Sequence, residues 1–167
     1  EQLQWLDRHE VADAYEKEAL STKSLVKASL HLFEWQLQSE EITVRLDVED
    51  QILYVHKNGM QQVLSNMIEH ALRYRINDSP IYIKGERKGL DYVFKIRGEG
   101  KEIKEADRER IFERFYRVED SRSRDTGGSG LGLAIVKEIV KKHQGRIHLE
   151  SEHNCHTFVV TLPILKE

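Results

Sequence analysis

The stretch "GGSGLGLAIVKEI" (residues 127–139) places Gly127, Gly128, Gly130 and Gly132 directly ahead of a run with helical spacing. A flexible linker rarely runs straight into a helix as apolar as LGLAIVKEIV. A ligand that needs bare backbone is the better explanation. The first N–H groups of a helix have no partner within it and carry about half a positive charge, so they form an anion site. Glycines just before them allow close approach and positive φ angles. The Lys-Ser/Thr pair of a P-loop is missing from Leu131-Gly132-Leu133. The dinucleotide fingerprint requires GxGxxG after a strand. Here Gly128, Gly130 and Gly132 give GxGxG after a polar loop. Neither standard site fits, although the chemistry still points to a phosphate.

Outward from this loop, the spacing predicts a helix from about Leu131 to His143, closed by Gly145. GRIHLES and HTFVVTLPI follow as an antiparallel pair. Upstream, residues 118–128 read as a loop, and KEADRERIFERFYR (104–117) reads as a charged helix ending in aromatics. PIYIKGERKGLDYVFKIRGEG holds two strands around a turn at Lys88-Gly89. Met60, Val63, Leu64, Met67, Ile68, Ala71 and Leu72 repeat at three and four, which predicts a long helix from Asn58 to about Tyr74. ILYVH (52–56) is a short strand, and ITVRLDVED (42–50) alternates as a half-buried one. Ser21 or Thr22 caps a helix whose apolar stripe is Leu25, Val26, Leu30, Leu32 and Phe33. Residues 1–20 read as the tail of a longer helix, a linker or a frayed terminus, and 21–167 as one domain. The order of elements predicts an α/β two-layer sandwich, with a mixed sheet of about five strands on three helices.

The 167 residues suffice for one substantial core. Charged residues make up 33% with a net charge of -3, so there is no basic face for nucleic acid. No apolar run is long enough to span a membrane, and no signal-like stretch opens the chain. The single Cys155 excludes an internal disulfide and fits a reducing compartment. His153, Cys155 and His156 lie close together, but no second ligand pair accompanies them, as a tetrahedral metal site would need.

FERFYRVEDSRSRDTGGSGLGLAIVKEIVKKHQGRIHLES (112–151) resembles the end of the ATP-binding catalytic domain of sensor histidine kinases. Phe112 and Phe115 match that family's F box, and Gly128, Gly130 and Gly132 its second glycine box. QQVLSNMIEHALRYR (61–75) resembles its asparagine box, and IRGEGKEI (96–103) its first glycine box. The resemblance covers about residues 20–165. It implies the Bergerat ATP-binding fold, with ATP under the 118–128 loop. It also implies Mg²⁺ as a cofactor, and phosphoryl transfer to a histidine on a separate dimerising domain.

The nucleotide contacts implied are Asn66, His70, Arg73, Tyr74, Gly98, Gly100, Ile103, Phe112, Phe115, Arg117, Gly128, Ser129, Gly130, Leu131, Gly132 and Leu133, with Asn66 and His70 at the metal. The acceptor histidine would lie upstream, and no residue of this chain would act as nucleophile. His9-Glu10 lacks the rest of the acceptor motif. The implied partners are the protein's own dimerisation and phosphoacceptor domain and a response regulator. The implied setting is the cytoplasmic portion of a membrane-anchored bacterial receptor.

Three positions depart from the family pattern. His70 stands where a second asparagine usually supplies an amide oxygen to Mg²⁺, a hard ion that prefers oxygen. With Ile103 aligned to the residue after the first glycine box, Gly98 falls where an aspartate normally reads the adenine amino group, and Glu102 where a glycine is usual. The other register puts Ile96 at the aspartate position, so neither supplies the carboxylate. These substitutions leave an alternative reading open: a degenerate domain with weak Mg-ATP binding that acts as a regulatory module.

Overall fold

The structure is a computed structural model, which describes residues 16–113 and 132–164. Strand β1 (Glu18–Ser21) leads into helix α1 (Thr22–His31) and a short α2 (Glu34–Ser39). Strands β2 (Val44–Val48) and β3 (Ile52–Val55) precede the long helix α3 (Lys57–Arg73). Strands β4 (Ile81–Lys88) and β5 (Asp91–Glu99) form the central hairpin, and 3₁₀ turns follow at Glu105–Asp107 and Arg110–Phe112. Helix α4 (Gly132–Lys142) and strands β6 (Arg146–Glu152) and β7 (Cys155–Pro163) complete the described fold.

The main sheet runs β2-β4-β5-β7-β6. Its first pair is parallel and the others antiparallel, so the sheet is mixed, as expected. Ile81 and Ile83 on β4, Phe94 and Ile96 on β5, and Phe158 and Val160 on β7 are buried at alternating positions, the period of a pleated strand. Met60, Val63, Leu64, Met67 and Ile68 of α3 and Ile135, Val136, Ile139 and Val140 of α4 bury the helical stripe in the same core.

Four local expectations need correction. Residues 18–20 are not helical: Glu18–Ser21 pairs antiparallel with Ile52–Val55 in a separate two-stranded sheet. Ser21 ends that strand and caps α1, its hydroxyl accepting from the Ser24 N–H at 3.1 Å. Leu32 lies past the end of α1 at 68% exposure, off the buried stripe. The 104–113 segment forms only 3₁₀ turns. It carries no apolar periodicity between Glu105 and Arg110, so a long helix there would have no face to bury. After α4, Gln144 and not Gly145 takes the left-handed conformation (φ 57°). Gly145 is needed for another reason. A Cβ there would lie 2.5 Å from the Thr161 carbonyl oxygen and 2.6 Å from Leu162 Cδ2.

A buried histidine ties the two long helices together. His143 is 3% exposed just beyond α4. Its Nδ1–H donates to the Ile139 carbonyl at 2.8 Å, and its Nε2 accepts from the His56 backbone N–H at 3.0 Å. His56 is the N-cap of α3, and its Nδ1 accepts from the Gly59 N–H at 2.9 Å. Both of its bonds require the neutral, Nδ1-protonated ring at His143. Burial above all, with Lys17 and His56 nearby, pushes His143 down to about 4.

Candidate nucleotide site

One helical face of α3 supplies Asn66, His70, Arg73 and Tyr74 near the C-terminal end of β5 and the start of α4. Asn66 and His70 are four apart and so share that face. The Asn66 Nδ2–H donates to the Gly132 carbonyl at 3.2 Å, joining α3 to the first residue of α4. Leu133, the next residue, is partly buried against the core. The described end of the glycine loop therefore meets the predicted asparagine. Phe115, Arg117, Gly128, Ser129, Gly130 and Leu131 lie outside the described residues, as does the 118–128 loop.

His70 is wedged among rings, 4.6 Å from Tyr74 and 5.0 Å edge-on from Phe158, centroid to centroid. Loss of solvent in this nest, then the nearby His156 and Arg73, push its imidazole down to about 4, so it is neutral at pH 7. A neutral imidazole offers Mg²⁺ a nitrogen where the ion prefers oxygen. Arg73 is held by Glu69 at 3.0 Å, an i, i+4 pair on the same helix. Tyr74 is the C-cap of α3.

The end of β5 and the residues just after it carry two glycines with opposite surroundings, Gly98 in the strand and Gly100 beyond it. At Gly98 a Cβ would meet only Ala71 Cβ, at 3.8 Å, so there is room for a side chain there. At Gly100 a Cβ would lie 2.9 Å from the Tyr74 carbonyl oxygen and 3.3 Å from the His156 ring, so only glycine fits. Glu99 and Glu102 are exposed, Ile103 enters the core, and Phe112 is buried 6.1 Å edge-on from Phe158.

Sequence reasoning considered His156 only as a metal ligand. Among the described residues no group of three His, Cys, Asp or Glu side chains converges on a metal position. His156 instead joins a polar chain. Its Nε2–H donates to the Lys101 carbonyl at 2.6 Å, and its Nδ1 accepts from the Ser151 hydroxyl at 2.6 Å. The β6–β7 register places Ser151 opposite His156, and the β5–β7 register places Gly98 opposite it. Only that register, invisible in sequence, could have revealed the arrangement.

With this geometry in view, comparison with known proteins defines the class. Residues 55–166 match the family described as histidine kinase-, DNA gyrase B-, and HSP90-like ATPase, and the chain belongs to that family. Within it, the match is to the histidine kinases. The chain is 30% identical over 148 residues to the sensor-like histidine kinase SenX3 of Mycolicibacterium smegmatis, covering 87% of this chain and 38% of that protein. It thus spans little more than a third of that relative.

Its fold is similar to the nucleotide-free catalytic domain of histidine kinase ThkA (TM-score 0.79, 24% identity, 91% of this chain and 99% of that one). It is also similar to ThkA in complex with response regulator protein TrrA (TM-score 0.81, 21% identity, 98% of this chain and 46% of that one). The chain is accordingly an ATP-binding catalytic domain of the histidine kinase type with the expected Bergerat fold. The alternative of an inactivated regulatory module finds no support among these matches.

Proposed function

We propose that this domain binds ATP between α3 and the start of α4 and presents its γ-phosphoryl group to a histidine on a separate dimerisation domain of the same protein. The observation that supports the reading is the Asn66–Gly132 bond, which joins the asparagine face of α3 to the first residue of α4. No side chain here need act as nucleophile, because phosphoryl transfer depends mainly on positioning and electrostatic stabilisation. Asn66 cannot take a proton, so hydrolysis of free ATP is expected to be slow. The base would lie toward Gly98, Tyr74 and Ile103. The phosphates would run toward Gly128, Ser129, Gly130, Leu131 and Gly132, with Arg73 and Arg117 nearby and Phe112 and Phe115 anchoring the loop between.

Mg²⁺ fits this donor set only in part. Asn66 offers one amide oxygen, and Mg²⁺ commonly completes its shell with phosphates and water. His70 does not suit it. When bound, the ion would neutralise phosphate charge. The partners that fit this reading are the protein's own phosphoacceptor domain and a response regulator, the kind of partner held by ThkA in its complex. The setting would be the cytoplasmic part of a sensor. Among the described residues no helix is long and apolar enough to cross a membrane.

Calorimetric titration with ATP, with and without Mg²⁺, tests the reading, followed by transfer to an added phosphoacceptor domain. Micromolar binding followed by phosphohistidine formation is the expected result. No nucleotide binding under either condition refutes it.

A further inference from the structure

We propose that His156 is a positioning residue of the nucleotide site, holding the Gly98–Lys101 turn in the shape that receives the base. This rests on the reading of that turn as part of the site. Three neighbours fix the turn from different sides. The Glu99 carbonyl accepts from the Ile76 N–H at 3.2 Å, just beyond α3. The Gly100 N–H donates to the Asn154 carbonyl at 2.8 Å, in the β6–β7 turn. His156 supplies the third hold through Lys101, and it is the only one made by a side chain.

The chemistry of that hold is specific. A carbonyl oxygen can only accept, so Nε2 must carry the proton. In the neutral ring Nδ1 is then an acceptor, and the Ser151 hydroxyl satisfies it. The Lys101 carbonyl thus fixes the tautomer, and Ser151 satisfies the ring nitrogen left over. The same ring lies against Gly100, which is itself pressed by the Tyr74 carbonyl at the end of α3. It also lies close enough to His70 to influence it electrostatically. One side chain on β7 therefore holds Lys101 and sits beside Gly100, where the chain after β5 meets the Tyr74 carbonyl at the end of α3.

The test compares the unaltered chain with H156F, H156Q and S151A by calorimetric titration with ATP. Hydrogen exchange of the Gly100 amide and nitrogen-resolved histidine NMR are recorded alongside. H156F keeps a ring but loses both bonds. Nucleotide binding is expected to weaken about tenfold, the loss of roughly one hydrogen bond's worth of preorganisation, and Gly100 exchange to speed up. In H156Q the side-chain amide can still donate to Lys101, so binding is expected to return to within about threefold. S151A is expected to leave Nδ1 without its partner while the Lys101 carbonyl keeps the proton on Nε2. Unchanged ATP affinity in a folded H156F, or H156Q as weak as H156F, overturns the proposal. If the unaltered chain binds no nucleotide, the functional reading fails first, and Gly100 exchange in H156F then decides alone whether His156 holds the turn.

Discussion

Acidification should destabilise this domain through His143 before most carboxylates titrate. In the unfolded chain the imidazole titrates near its ordinary value, about 6.5; in the fold it is pushed down to about 4. At pH 7.5 both states are neutral and nothing is lost. As pH falls through the unfolded value, the unfolded chain takes a proton that the fold refuses. Stability therefore drops between the two values and levels off below the folded one. For one such group the loss between about pH 7.5 and 5 is about 2 kcal/mol. His70, also pushed down to about 4, adds a similar amount, so the two together give about 4 kcal/mol over that range. H143Q isolates the first contribution, because its amide oxygen can still accept from the His56 N–H but does not titrate. Urea denaturation followed by circular dichroism at several pH values should show H143Q about 1 kcal/mol weaker at pH 7.5. Its loss on going to about pH 5 should be about half that of the unaltered domain. An undiminished loss would refute the assignment of that slope to His143, as would an NMR titration showing His143 taking up its proton above about pH 6.

Three further perturbations probe the site and its frame. Gly98→Asp should tighten ATP binding by about ten- to a hundredfold, the worth of a hydrogen bond to a carboxylate. Nothing nearer than Ala71 Cβ stands in its way, and an unchanged affinity by calorimetry would show that the base amino group is not read there. His70→Asn restores an amide oxygen and should make ATP binding depend more strongly on added Mg²⁺, by roughly tenfold in the ratio of affinities with and without the ion. An unaltered ratio would remove position 70 from the metal. Gly145→Ala should lower stability by about 1–3 kcal/mol through overpacking against β7, read as a fall in the urea midpoint. A midpoint that does not move would mean that the contact with the Thr161 carbonyl relaxes freely.

The parts of the fold legible in the sequence were those with strong, uninterrupted periodicity. The stripe from Met60 to Leu72 became α3, and the alternation around Phe94 and Phe158 became central strands. Strand β1 was hidden because Glu18, Ala19 and Leu20 are good helix formers, and only pairing with the distant Ile52–Val55 makes them extended. The 104–113 segment misled in the opposite way. Its composition favours helix, but its buried residues, Ile103, Ile111 and Phe112, cluster at the ends and leave no stripe to pack. The asparagine face of α3 followed from spacing and resemblance. The His156–Ser151 bracing followed from neither, since it depends on which residues two strand registers place opposite each other.

The three departures from the family pattern make physical sense once their surroundings are compared. At Gly98 a Cβ would meet only Ala71 at ordinary contact distance, Glu102 is exposed, and His70 fills its place with ring contacts to Tyr74 and Phe158. None of these positions is constrained by backbone packing, so each can change without disturbing the core. Gly100 is different: the Tyr74 carbonyl and the His156 ring leave no space for a Cβ. Within one glycine box, the position the fold requires is kept, while those that would answer only to the nucleotide and its ion have changed. The scaffold and the ligand chemistry are therefore separable here. That is why the single restoration Gly98→Asp is expected to change binding while leaving folding stability within about 0.5 kcal/mol of its starting value, the usual range for changes that touch no buried partner. A large loss of stability in that variant would mean that position 98 does belong to the frame, and the separation would fail.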